Sequence, residues 1–278
     1  MLGLSALDRR RGLIDAVSQL GGALRTRLAS RAARQALLGW VVKAFFLPLM
    51  LSGCLGWFYM GAHLESLPTQ AAFVAQAMTF LYAMDVSFGS VGYINTSPRI
   101  GAQIRSVDST FSGWLSALVC YPPVSVWVLD SWLIYKSAED WRHWLQGSPG
   151  IASAWGMAIV LCTLVYVWAT VVFGPRFSNL TYRGIITSGP YRYHKHPAYI
   201  SKNLSWWLIS VPFLSTHGVG AALSHSAALL CINGIYWLRA LTEERHLRSY
   251  PEYAAYAEWI ARNGLSARVG RLLPFSRA

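Results

Sequence analysis

The sequence predicts an all-α, polytopic membrane protein with about six transmembrane helices and with its N- and C-termini cytoplasmic. Three observations carry this. The 278 residues are 54% hydrophobic and 13% charged, against roughly 25% charged in a typical soluble domain. So few charges do not clothe a soluble globule of this size, and such apolarity excludes disorder. The apolar residues gather in runs near the roughly 20 that a helix needs to cross the hydrocarbon core. Lys+Arg number 24 against 12 Asp+Glu, a net charge of +12, and the basic residues concentrate in alternate loops, as cytoplasmic loops do. A nucleic-acid binder carries such a charge without such apolarity, so no nucleic-acid partner is expected.

Residues 1–35 form a basic amphipathic segment. Arg9, Arg10, Arg11, Arg25, Arg27, Arg31 and Arg34 accompany Leu13, Ile14, Val17, Leu20, Leu24 and Leu28 at roughly helical spacing, a pattern that lies on anionic lipid. No short apolar stretch with a cleavage site follows, which argues against a signal peptide. Residues 36–148 hold the first three spans, near Leu37–Met60, Ala71–Ile94 and Phe111–Ile134. Pro122-Pro123 kinks or breaks the third. Residues 149–278 hold the other three, near Ile151–Phe173, Pro197–Leu214 and Gly218–Leu241, followed by an amphipathic helix. The fifth is short enough to enter the membrane partway or to pair as a hairpin with the sixth. The loops after the first and fifth spans carry no Lys or Arg, whereas Arg176, Arg183, Arg192 and Lys195 crowd the loop between the fourth and fifth. That loop and both termini are therefore expected in the cytoplasm, and the Arg/Ala-rich style suits a bacterial inner membrane.

Asp85 stands inside the second span, and Lys43 in the first is its expected structural partner. Cys54, Cys120, Cys162 and Cys231 each stand alone without CxxC spacing, as small packing residues do. There is no HExxH and no Walker loop, and no metal site is expected.

The stretch from Gly174 to Ala198, GPRFSNLTYRGIITSGPYRYHKHPA, is where chemistry concentrates. A connection this long is functional or disordered, and its Gly-Pro punctuation and its Tyr, Arg and His content oppose disorder. Pro197 suits the first turn of the fifth helix, whose N-terminus then offers free N–H groups and partial positive charge to a carboxylate or phosphate. A chain leaving at Pro197 and returning at Leu241 brings Glu243 and Glu244 beside Lys195 and His196. Two acids at a helix C-terminus need cations nearby. One account pairs Glu244 with Arg248 and Glu243 with Arg239, four residues away; the other gives one acid to a cationic group of a ligand. An anion at the helix start and an ammonium at the acids describe an amino-acid-like end group.

Gly189-Pro190-Tyr191-Arg192-Tyr193-His194-Lys195-His196-Pro197-Ala198-Tyr199 resembles the GPYxxxRHPxY signature of the isoprenylcysteine carboxyl methyltransferase and phospholipid methyltransferase superfamily. Glu243-Glu244, with Leu247, Tyr250, Glu252, Tyr253 and Tyr256, resembles its Glu-Glu element and trailing helix. Gly174-Pro175-Arg176-Phe177-Ser178 resembles the short element ahead of the signature. The resemblance covers roughly residues 150–260. It implies a multi-pass enzyme that uses S-adenosylmethionine without a Rossmann domain and methylates a lipid-like or membrane-soluble carboxylate, amine or thiol. It implies that Gly189, Pro190, Tyr191, Arg192, Lys195, His196, Pro197, Tyr199, Glu243 and Glu244 surround the cofactor. An amine or thiol acceptor must lose a proton, and His196, the candidate catalytic residue, or one of the two glutamates can take it.

Lys195 stands where that family usually has Arg, keeping charge but losing the planar fork. Ser201 stands where Gly commonly follows, and Lys202 and Asn203 are unusual at membrane depth. Two other readings are open. Sterol-type membrane reductases that use NADPH carry a similar RHPNY element, from which Ala198, Ser201 and Lys202 depart. A non-catalytic membrane scaffold of the same fold is the other.

Overall fold

The computed structural model describes residues 30–62, 69–127 and 139–272. Most of the N-terminal basic segment and the end of the third expected span lie outside the described residues. In chain order the elements are α1 (Arg31–Ala62), α2 (Thr69–Ile94), β1 (Ser106–Val107), α3 (Phe111–Leu118), α4 (Trp141–Leu145), α5 (Pro149–Phe173), β2 (Thr181–Tyr182), α6 (Pro197–Ser210), α7 (Val219–Leu247), α8 (Pro251–Asn263) and α9 (Leu265–Leu272).

Four helices, α1, α2, α5 and α7, are long and apolar enough to cross a membrane. The shortest, α5, has 25 residues, about 37 Å at the helical rise of about 1.5 Å per residue, against a hydrocarbon core of about 30 Å. The third and fifth expected spans are shorter helices. α3 ends at Leu118, ahead of Pro122-Pro123, whose missing N–H groups cannot continue a helix. α6 has 14 residues, about 21 Å. It stops because Val211 precedes Pro212, a position that disfavours the helical region. Val211 instead turns to φ 43° and its N–H bonds the Trp207 carbonyl at 3.1 Å.

The long helices bury one face and expose large apolar side chains on the other: Trp40, Leu55 and Phe58 on α1, Leu161 and Trp168 on α5, Leu230 and Trp237 on α7. Exposed apolar area on this scale requires a solvent other than water. Inside, Val42, Phe46 and Met50 recur every four residues along α1 and pack on Tyr93 and Val107. α2 packs between α1 and α5, and α7 rests chiefly on α3.

The 174–198 connection is folded. Gly92 lets it lie on α2, since a Cβ there would stand 2.3 Å from the Phe177 carbonyl oxygen. β1 and β2 pair antiparallel, Ser106 with Tyr182 and Val107 with Thr181. Bonds of 2.8 Å from Arg105 N–H to Tyr182 O and from Asp108 N–H to Leu180 O extend the pairing. α8 covers this strap: Tyr182 stacks on Tyr250 at 4.0 Å and donates to Glu252 at 2.5 Å.

The expected Lys43–Asp85 pair does not form. Lys43 Nζ lies 3.3 Å from Thr96 Oγ1, just beyond the end of α2. Asp85 stands eleven residues earlier in the chain, on the order of 15 Å back along the helix axis. Its carboxylate accepts from the Tyr166 hydroxyl and from Thr170 Oγ1 at 2.6 Å, one turn apart on α5. The four cysteines are free thiols, and no metal-binding cluster occurs among the described residues.

Candidate functional site

The hairpin geometry expected between the fifth and sixth segments is present at their polar ends. His196 occupies the N-cap position of α6 without capping it. Its ring reaches across to α7 instead: Nε2 lies 3.0 Å from Glu244 Oε1 and Nδ1 lies 3.8 Å from Glu243 Oε2. Lys195 Nζ lies 2.6 Å from the same Glu244 oxygen. Tyr199, one turn into α6, donates to Glu243 Oε1, and its ring stacks on His196 at 5.6 Å and 4°.

The pairing of each acid with an arginine four residues away is present. Arg239 Nε stands 3.3 Å from Glu243 Oε1, and Arg248 Nη2 stands 3.3 Å from Glu244 Oε2. The cross-hairpin contacts come in addition. Two carboxylates at the C-terminal end of a helix oppose its dipole, and this set of cations and a hydroxyl offsets that.

Arg239 is the deeper element. It is 5% exposed, and its guanidinium lies 5.4 Å over Tyr121 and 5.3 Å over Tyr199. Its Nη2 donates to Asn179 Oδ1. The Asn179 amide in turn donates to the hydroxyls of Tyr93 at 2.7 Å and Tyr121 at 3.2 Å. Leu180, next in the chain, holds φ 61°. A bulky residue in the left-handed region stores about 1–3 kcal/mol and persists where its surroundings over-determine it, as the Asn179 contacts do here.

These residues wall a cavity of about 190 Å³. A single buried water needs about 10–15 Å³ by the same kind of measure, so the space suits a ligand. Of the sequence-predicted residues, Tyr191, Lys195, His196, Tyr199 and Glu243 line it. Glu244 stands behind them, 8% exposed, gripping Lys195 and His196. Gly189, Pro190, Arg192 and Pro197 do not line it. Gly189 turns at φ 58°, where a Cβ would meet Val172 at 2.8 Å, Pro190 and Pro197 are buried, and Arg192 is exposed. The reason is local: Gly189–Arg192 forms a 3₁₀ turn that aims Tyr191 inward.

Sequence reasoning missed several wall residues: Tyr121, Tyr166, Asn179, Arg183 and Tyr236. Arg183 is 3% exposed, and its Nη1 donates to the carbonyls of Gly92 at 2.6 Å and Pro175 at 3.0 Å. Burial lowers its pKa to about 10. Its Nε and Nη2, and the Tyr253 hydroxyl, are buried without a hydrogen-bond partner among the described residues. α8 closes the outer wall, with the Tyr256 hydroxyl donating to the Tyr191 carbonyl at 2.6 Å. Burial above all, and the Glu243 carboxylate next, hold the Tyr191 pKa well above its usual value, so it is a neutral phenol.

His194 organises the turn from behind. Its Nδ1 accepts the His196 backbone N–H at 2.9 Å, which places its proton on Nε2. Burial, followed by the charges of His196 and Lys195, lowers its pKa. The unfolded chain therefore takes up this proton first as pH falls, and stability drops from about pH 6.5 downward through the folded pKa. Melting curves in lipid discs are expected to show this loss, with His194→Gln flattening it. A variant slope identical to the parent's would contradict the assignment.

No family profile, curated protein or solved structure matches the chain.

Proposed function

We propose that the protein is an integral membrane methyltransferase that uses S-adenosylmethionine and acts on a lipid-like or membrane-soluble acceptor. The observation that carries the reading is the convergence of Tyr191, Lys195, His196 and Tyr199 with Glu243 on one cavity. The donor set fits the methionine end of this cofactor. The N-terminus of α6, which no side chain caps, favours its carboxylate. Glu243, with its side chain 29% exposed, suits its ammonium. The faces of Tyr191, Tyr199 and Tyr253 tolerate its sulfonium, and the unpartnered Tyr253 hydroxyl has a polar group to meet. When bound, the cofactor supplies an activated methyl group on sulfur.

The chain's own contribution is position and proton handling. Glu244 fixes Lys195 and His196 at the start of α6, and holding two reactants in line supplies much of the catalysis of a displacement. An amine or thiol acceptor must lose a proton, which His196 takes, with Glu243 and Glu244 stabilising the imidazolium; a carboxylate acceptor needs no base. α8 and its tyrosines exclude water from one side.

In this reading the chain crosses the membrane six times, four times in α1, α2, α5 and α7 and twice in the stretches led by the shorter helices α3 and α6. Both termini and the 174–198 loop face the cytoplasm, as in a bacterial inner membrane. The acceptor arrives from lipid beside α7, which packs only lightly on α6.

Incubation of the purified protein with methyl-labelled S-adenosylmethionine and a membrane lipid extract is expected to place label in an apolar product. Absence of transfer to any extract component by protein that binds the cofactor would overturn the enzyme reading.

A further inference from the structure

Among the described residues, Lys195, Arg239 and Arg183 on the cavity wall have side-chain hydrogen bonds or ion pairs, Arg183 through its Nη1 alone. Lys195 sits on Glu244, Arg239 on Glu243 and Arg183 on backbone carbonyls. The ammonium of Lys202, on the cavity wall, has neither a hydrogen bond nor an ion pair among the described residues. It lies 5.0 Å from the ring centre of Tyr166, 5.3 Å from Trp206 and 5.7 Å from Tyr236. The nearby carboxylate, Asp85, accepts from the hydroxyls of Tyr166 and Thr170; it attracts the Lys202 charge without an ion-pair contact among the described residues.

An ammonium at this depth is costly and marks a functional site by default. Three aromatic faces hold it in place by cation–π attraction, but they supply no hydrogen-bond acceptor to its N–H groups. His196, Tyr199, Lys202 and Trp206 recur at intervals of three, three and four, so they form one stripe down α6. The stripe runs from the charged mouth inward, and Lys202 stands roughly 9 Å beyond His196 along the axis.

We propose that Lys202 binds the anionic oxygen head of an amphiphilic methyl acceptor, a carboxylate or phosphate carried on an apolar chain. The acceptor's head enters from the membrane side and meets the lysine, while its chain lies along the exposed apolar faces of α6 and α7. Lys202 is thereby the residue that selects anionic over neutral acceptors. Calling this ligand the acceptor rests on the methyltransferase reading; the binding itself does not.

The test is calorimetric titration of the full chain in phosphatidylcholine discs, with empty discs as reference. The probes are dodecanoate, dodecanol, acetate and S-adenosylmethionine. Wild type is expected to bind dodecanoate at least ten-fold more tightly than dodecanol or acetate. Lys202→Met loses that preference, Lys202→Arg keeps most of it, and both bind S-adenosylmethionine within about two-fold of wild type. A Lys202→Met protein that still prefers dodecanoate ten-fold would overturn the proposal, as would acetate binding as tightly as dodecanoate, which would make the site one for a free anion. Failure of wild type to bind S-adenosylmethionine would overturn the cofactor reading alone and leave the anion result standing.

Discussion

Glu244→Gln and His196→Ala each weaken S-adenosylmethionine binding by at least ten-fold, measured by calorimetry in lipid discs. The expectation follows from where the two side chains sit. His196 lines the cavity, and its ring is fixed by Glu244 at 3.0 Å and by stacking on Tyr199. Glu244 is a positioning residue: it is 8% exposed and binds both Lys195 and His196. Charge-assisted hydrogen bonds contribute about 1.5–3 kcal/mol each, and about 1.4 kcal/mol is ten-fold in affinity. Glutamine keeps the shape and removes the charge, so Lys195 loses its ion pair and the turn before α6 loosens. Glu258→Gln serves as the control, because its ion pair with Arg262 is exposed on both sides and such pairs contribute little. Unchanged affinity in both Glu244→Gln and His196→Ala would sink the site assignment.

Arg239→Met destabilises the protein by about 1–3 kcal/mol, the usual cost of leaving the partner of a lost buried hydrogen bond unsatisfied. The guanidinium serves Glu243, Asn179 and two aromatic faces at once. Its loss leaves Glu243 with only Tyr199 and His196 and removes the donor to the Asn179 carbonyl, and Asn179 is what ties the 174–198 connection to Tyr93 and Tyr121. Adding Glu243→Gln to Arg239→Met removes the carboxylate charge and recovers part of the loss. Double-mutant analysis of denaturation in lipid discs measures this coupling. Additive effects of the two substitutions would show that the pair is not a unit.

The coarse plan was written plainly in hydropathy. The four long helices, the folded 174–198 connection and the meeting of Lys195 and His196 with Glu243 and Glu244 follow from apolar run length, Pro197 and a hairpin return. The lengths of α3 and α6 were half legible: Pro122-Pro123 signalled an interruption, while the stop at Val211 depended on reading Pro212 as a terminator inside an apolar run. Partner choice inside the bundle was not legible. Asp85 finds Tyr166 and Thr170 more than eighty residues on, because helix rotation and depth, which hydropathy does not encode, decide what faces it. Tyr166 and Thr170, four apart on one face of a largely apolar span, were the available signal. Asn179 carried none; a polar residue in a loop looks like any other until the chain folds Tyr93 and Tyr121 around it.

Thermal unfolding with added cofactor reads out whether the pocket recognises S-adenosylmethionine. A ligand at 100 times its Kd stabilises the folded state by about 2.7 kcal/mol. The account predicts a concentration-dependent rise in melting temperature with S-adenosylmethionine and none with NADPH. A rise with NADPH alone, or no response to either, would contradict it.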